Sequence, residues 1–262
     1  MDSSQRTPLS YAAQEGHVTI VKHLLDNGNV NLNSMSKIGY GTWRTPLSCA
    51  AENGHEMVVK LLLERGAKPE LYIKSRGKRT PSKISSETTP LGYAAMKGHK
   101  EVVKLLLEDN TLHPDKACES YKMTPLAYAA RGGHEEVVKL LLEDDRIHLD
   151  KASGCYEQTP LSYAATEGHE GVVKLLLEKG ANPNLAIIGA RDPVPAVMDL
   201  IRNKAEANLL LATSNNSTAP KLAKKETVDN SPPVAGGGDR GQTQVHNAYS
   251  LFSCFGFTRR KK

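Results

Sequence analysis

The residues of this chain whose types could do chemistry are nine histidines and four cysteines. Five of the histidines follow a glycine, as Gly16-His17, Gly54-His55, Gly98-His99, Gly133-His134 and Gly168-His169. A recurring imidazole suggests a metal ligand or a general base. A zinc ion needs its nitrogen ligands converging at ~2.0–2.1 Å, and a base needs a nucleophile within hydrogen-bond reach. The sequence offers no such companion. It contains no G-x-S-x-G, no H-E-x-x-H and no glycine-rich loop after a strand. Gly236, Gly237 and Gly238 lie in a polar stretch and read as linker. Cys49, Cys118, Cys155 and Cys254 show no C-x-x-C spacing. No catalytic, metal-binding or cofactor-binding residue is therefore expected, and the chain is expected not to be an enzyme.

The elements that position these histidines are repeated. The block T-P-L-x-x-A-A-x-x-G-H begins at Thr7, Thr45, Thr89, Thr124 and Thr159, at spacings of 38, 44, 35 and 35 residues. A constant block with variable spacing is a repeat array with loops on one edge. Thr before Pro starts a helix: its hydroxyl accepts a first-turn N–H, and proline loses nothing where the N–H would be unpaired. Leu47, Ala50 and Ala51 share one face, and Gly54 ends the helix. The next run, Val58-Val59-Lys60-Leu61-Leu62-Leu63, is too apolar to stand in water, so each pair must stack on its neighbours. Packed helices lie ~8–10 Å apart. Equivalent histidines stand that far from one another, too far to share a metal, and are expected to order the turn between paired helices. The expected fold is all-α, a solenoid of helix-turn-helix units with protruding hairpin loops.

The blocks T-P-L-S-Y-A-A, G-H and V-V-K-L-L-L of residues 159–177 resemble those of ankyrin-repeat proteins. The resemblance covers residues 1–190. In style, with connectors such as Asp144–Asp150, the array resembles those of large fungal ankyrin proteins. It departs from the family pattern after T-P-L, where Ser10, Ser48, Gly92, Ala127 and Ser162 replace the usual His. The resemblance implies a protein–protein interaction module whose concave side and hairpins bind a partner. On this chain the outer positions map to Gln14 and Glu15, Glu52 and Asn53, Met96 and Lys97, Arg131 and Gly132, and Thr166 and Glu167. These residues differ between copies while the scaffold stays constant.

Two connections carry further candidates. The first holds Tyr40 and Trp43, aromatics suited to anchor a partner or to pack on a neighbouring hairpin; both readings stay open. The second holds Lys74, Arg76, Lys78 and Arg79, which would steer an acidic partner or form a solvated insertion. Cys49 takes an aromatic's place in its repeat and is expected to be a buried free thiol.

At the C-terminal end, Val194-Pro195-Ala196 falls one 35-residue period after Thr159-Pro160. Residues 191–212 are expected to be a degenerate sixth unit with a longer capping helix; a free, partner-binding amphipathic helix is the alternative. Residues 213–262 are rich in Ser, Asn, Pro and Gly and read as a disordered basic tail. The tail carries eight Lys/Arg against three acids, the whole chain's net charge of +5. The array itself is neutral, so no nucleic-acid partner is expected. Leu251 to Lys262 hold all three Phe, Cys254 and four basic residues. Acylation of Cys254 beside a polybasic cluster would tether the chain to a membrane; a nuclear signal and a segment without a role are the alternatives. The chain is expected to be cytoplasmic, with a peripheral membrane or nuclear location following from those readings, and the array monomeric. A piece of a longer array or of a larger signalling protein, with its catalytic domain elsewhere, is the third functional reading. At the other end, either Gln14, Glu15 and Lys22 shield the first unit or more repeats precede it.

Overall fold

The computed structural model describes residues 6–38, 42–70, 88–118, 122–154, 156–189 and 193–216. Five helix pairs follow the five blocks: α1 (Pro8–Gln14) with α2 (Val18–Asp26), α3 (Pro46–Glu52) with α4 (Glu56–Glu64), α5 (Pro90–Lys97) with α6 (Lys100–Leu107), α7 (Pro125–Gly132) with α8 (Glu135–Leu141), and α9 (Pro160–Glu167) with α10 (Glu170–Glu178). A sixth pair, α11 (Pro183–Gly189) and α12 (Pro195–Asn216), completes the stack. First helices pack on first helices and second on second. One continuous core of Leu, Ala and Val runs through every unit, from Leu9 to Ile201. Among the described residues the only sheet is the hairpin β1 (Ser36–Ile38) and β2 (Thr42–Arg44), antiparallel with Lys37 opposite Trp43. The chain is thus an all-α repeat solenoid.

Each first helix begins as its residues dictate. The hydroxyls of Thr7, Thr45, Thr89, Thr124 and Thr159 accept from the backbone N–H three residues on, at 3.1–3.2 Å, with proline opening the helix. Such caps contribute ~1 kcal/mol each. The second helices also start at a fixed residue, the block histidine, yet no histidine side chain caps its helix.

The imidazoles reach across the stack instead. His55 Nε2 donates to the Gln14 carbonyl at 2.8 Å, His99 to Glu52 at 2.8 Å, His134 to Met96 at 3.0 Å and His169 to Arg131 at 2.9 Å. Because a carbonyl only accepts, each ring carries its proton on Nε2. Each ring also lies against the glycine of the preceding block: a Cβ on Gly54 would come within 2.6 Å of His99 Nδ1. The glycine of one repeat and the histidine of the next are one contact. The expectation that His orders the turn within its own pair is corrected: the ring joins neighbouring repeats, because the carbonyl it meets belongs to the unit before.

The sixth unit corrects a second expectation. Val194 rests against Gly168, where a repeat histidine would lie, and its N–H donates to the Ala165 carbonyl at 3.3 Å. Buried Val197, Met198 and Ile201 stand 25 positions after buried Val172, Val173 and Leu176. Pro193-Val194 therefore occupies the Gly-His end of the block, and Val194-Pro195 is not its Thr-Pro start. The first helix of the unit is α11, inside the 1–190 segment expected to hold five repeats. The reason is a missing hairpin: the chain passes from α10 to α11 through residues 179–182. Gln158 Nε2 donates to the Gly189 carbonyl at 2.7 Å and ties α11 down. α12 also runs to Asn216, past the boundary expected at 212, since each residue added to a formed helix gains a hydrogen bond.

Gly54 and Gly66 separate the two roles of glycine. Both have positive φ, +74° and +85°, but nothing lies within 4 Å of a Cβ on Gly66. Gly66→Ala is expected to destabilise by about 1 kcal/mol through backbone strain alone. Gly54→Ala adds overpacking against His99 of about 1–3 kcal/mol. Urea denaturation of the two variants checks the order.

Candidate partner-binding surface

The paired positions form two rows along the C-terminal ends of the first helices. The inner row, Gln14, Glu52, Met96, Arg131 and Thr166, is half-buried. Four of its carbonyls, on Gln14, Glu52, Met96 and Arg131, are those that the next repeat's histidine engages. The backbone of this row therefore belongs to the scaffold. The outer row, Glu15, Asn53, Lys97, Gly132 and Glu167, is exposed.

Side chains along the rows differ in how far they are committed. Gln14 accepts from Arg6 at 2.7 Å and donates to Glu15 at 2.9 Å. Glu52 pairs with Arg44, whose guanidinium also lies 4.4 Å from the Tyr93 ring centroid. Asn53 donates to the Cys49 carbonyl at 2.8 Å and Thr166 to the Ser162 carbonyl at 2.9 Å. Arg131 faces Glu167 at 3.4 Å, an exposed pair worth ~0–1 kcal/mol. Met96 packs on a small cluster of Cys118, Met123, Ala127, Tyr128 and Tyr163. Lys97 forms no ion pair among the described residues. It is the most available charge in the middle of the rows.

Trp43 is 40% exposed on β2. Tyr40, Lys74, Arg76, Lys78, Arg79 and Cys254 lie outside the described residues. Two aromatics not singled out from sequence join Trp43. Tyr11 is 40% exposed beneath the Arg6 guanidinium, 3.6 Å from its centroid. Tyr156 is 39% exposed between Ser153 and Gln158, which pair across the turn. Tyr11 could have been found by position, since Tyr93, Tyr128 and Tyr163 fill the same place and are buried by a preceding unit.

A second set of contacts between repeats lies at the loop bases. Glu70 holds His113 Nδ1 at 2.6 Å and Lys116 Nζ at 3.2 Å. Asp115 holds His148 Nδ1 and Lys151 Nζ, each at 2.9 Å, and Asp150 accepts from the Asn182 N–H at 3.0 Å. His113 and His148 are 35 positions apart, as are Asp115 and Asp150, a signal that a period search exposes.

Burial holds the Cys49 thiol and the Tyr128 phenol in their neutral forms. Cys49 is buried, and loss of hydration pushes its thiol up to about 11 against the pull of Arg44 and Arg6. Tyr128 is raised by burial and by its Cys118 contact, 3.2 Å away. Among the described residues no group of three His, Cys, Asp or Glu is placed to hold a metal ion. Four of the five block histidines, His55, His99, His134 and His169, have their Nε2 engaged in stacking. The surface offers polar and aromatic anchors on a fixed frame.

A family model described as Ankyrin repeats (3 copies) matches residues 1–73, 70–153 and 91–187. The chain belongs to the ankyrin-repeat family, whose members are generally protein–protein interaction modules and typically non-catalytic. No curated protein matches the chain.

His99 couples this frame to pH. Its pKa is lowered from the ordinary 6.5, first by lost hydration and then by His55 and Lys97. The folded state favours the neutral ring, so below pH 6.5 the unfolded chain binds more protons. That stability is fully present above pH 6.5 and is lost as pH falls through the folded value. Wild type should lose urea resistance between pH 7.5 and 5 more steeply than His99→Gln, whose amide can donate without titrating.

Proposed function

We propose that this array is an adaptor, binding a partner protein along the two rows and the hairpin of Trp43, with no chemistry of its own. The observation that carries the reading is a division of labour within each block. The inner row gives four of its five carbonyls to stacking, while outer-row residues such as Glu15, Lys97 and Glu167 face water and change from copy to copy. Binding would rest on a few anchors, with Trp43 and Arg131 as residue types enriched at such points. Lys97, which forms no ion pair among the described residues, would contribute an ion pair that desolvation on binding strengthens. The partner then carries a carboxylate or phosphate near the third repeat.

Affinity capture with the full chain from its native lysate, read by mass spectrometry, tests this. A partner should be recovered with wild type and with Lys60→Glu on α4. It should be depleted at least tenfold by Trp43→Ala together with Lys97→Glu. Equal loss with Lys60→Glu, or none with the double variant, contradicts binding on this face.

A membrane-tethered adaptor is a second reading, favoured by the concentration of Phe252, Phe255, Phe257, Cys254 and four basic residues in the last twelve positions. Cys254→Ser should then move the chain from the membrane to the soluble fraction; an unchanged distribution rejects acylation.

A further inference from the structure

The hairpin that carries Trp43 has strands of only three residues, β1 and β2. A two-stranded ribbon of that size is marginal in water on its own, so its shape depends on what moors it. Successive side chains of a strand point to opposite faces. Ser36 stands opposite Arg44 across the ladder, and Lys37 opposite Trp43. The first pair lies on the inner face, with Ser36 fully buried and the Arg44 side chain 14% exposed. The second pair lies on the outer face, where Lys37 and Trp43 are both exposed.

Two moorings hold the inner face. Ser36 Oγ accepts from the Thr7 N–H at 3.1 Å, which ties β1 to the first repeat. Arg44 ties β2 to the next two. Its Nη1 pairs with Glu52 on α3, and its guanidinium lies over the Tyr93 ring on α5. Glu52 is itself fixed, because its carbonyl accepts from His99. One arginine thus joins the hairpin to the second and third repeats.

We propose that Arg44 is a positioning residue for recognition: it locks the inner face of the hairpin against the stack and so turns Trp43 outward together with Lys37. The proposal rests on the reading of Trp43 as an anchor for a partner. Opposed residues on neighbouring strands hold their Cβ atoms about 4.5–5.5 Å apart, so the outer face presents an indole with a cation beside it. That pair fits a protein segment with an apolar side chain next to a carboxylate. The apolar group packs on the indole, and the carboxylate meets Lys37. Tyr93 and Lys97 share α5, so the same clamp holds Trp43 at a fixed separation from Lys97 in the third repeat. An anchor already in place loses less conformational freedom on association.

Trp43 is the only tryptophan, so fluorescence of the full chain reports the hairpin with no partner present. Its anisotropy should decay mainly with the tumbling of the array. In Arg44→Gln the amplitude of the fast local decay should rise at least twofold. Glu52→Gln, which keeps the stacking on Tyr93, should raise it by less, and it carries the test if circular dichroism shows Arg44→Gln unfolded. Gly66→Ala weakens the stack away from the hairpin and should leave the decay as in wild type. Iodide reads the neighbouring cation: Lys37→Glu should lower iodide quenching of Trp43 at least twofold and leave quenching by neutral acrylamide unchanged. A local decay that rises in neither Arg44→Gln nor Glu52→Gln overturns the proposal. So does an equal rise in Gly66→Ala, or iodide quenching indifferent to Lys37→Glu. Failed capture of a partner beside the expected fluorescence results would count against the adaptor reading alone.

Discussion

The array depends on one contact made four times: the imidazole of each repeat lies on the glycine of the repeat before and donates to a carbonyl there. The contact makes two demands at once. The glycine must have no side chain, because a Cβ would stand within 2.5–2.6 Å of the ring. The ring must carry a proton on Nε2, because that nitrogen meets a carbonyl, which only accepts. A hydrogen bond of this kind contributes only ~0.5–1.5 kcal/mol net, less than the burial of the leucines beside it. Its larger effect is geometric. Stacked apolar helices can slide, whereas a ring that fits one cradle fixes the register of each unit on the next.

That fixed register supplies the frame on which the proposed partner surface rests. The same backbone positions recur at each unit, so side chains along the two rows sit at regular spacings on a rigid support. Glu15, Asn53, Lys97 and Glu167 carry no share of the core, whereas at Gly132 a Cβ would stand 2.5 Å from the His134 Nε2. Specificity in such a frame lives in the grafted side chains and not in the fold. The C-terminal unit ends the pattern by substitution. Val194 fills the cradle on Gly168 with methyl groups, offering packing without the hydrogen bond, and Pro193 supplies no cradle for another unit.

Much of this was legible in the sequence. The Thr-Pro starts, the buried Leu-Ala-Ala faces and the apolar second helices follow from local chemistry, and the structure reproduces them. The role of the histidines was legible only in outline. Spacing excludes a shared metal, but whether a ring bonds its own unit or the one before depends on the stacking geometry. The sixth unit was misplaced because a 35-residue period was extended across a connection that lacks its hairpin. The buried residues Val197, Met198 and Ile201 reveal the shorter step of 25. The commitments of Glu52 to Arg44 and Asn53 to the Cys49 carbonyl could not be read either, since they join residues that only the fold brings together or orients.

The central claim is the state of four rings, and long-range nitrogen–proton correlation spectra of the histidine side chains at pH 7.5 test it most directly. His55, His99, His134 and His169 should each appear as the Nε2–H tautomer with a slowly exchanging, hydrogen-bonded ring proton. His17, which is exposed and has no unit before it among the described residues, should show the averaged pattern of a free imidazole. The Nδ1–H tautomer, or free averaging, at the four inner positions would contradict the account.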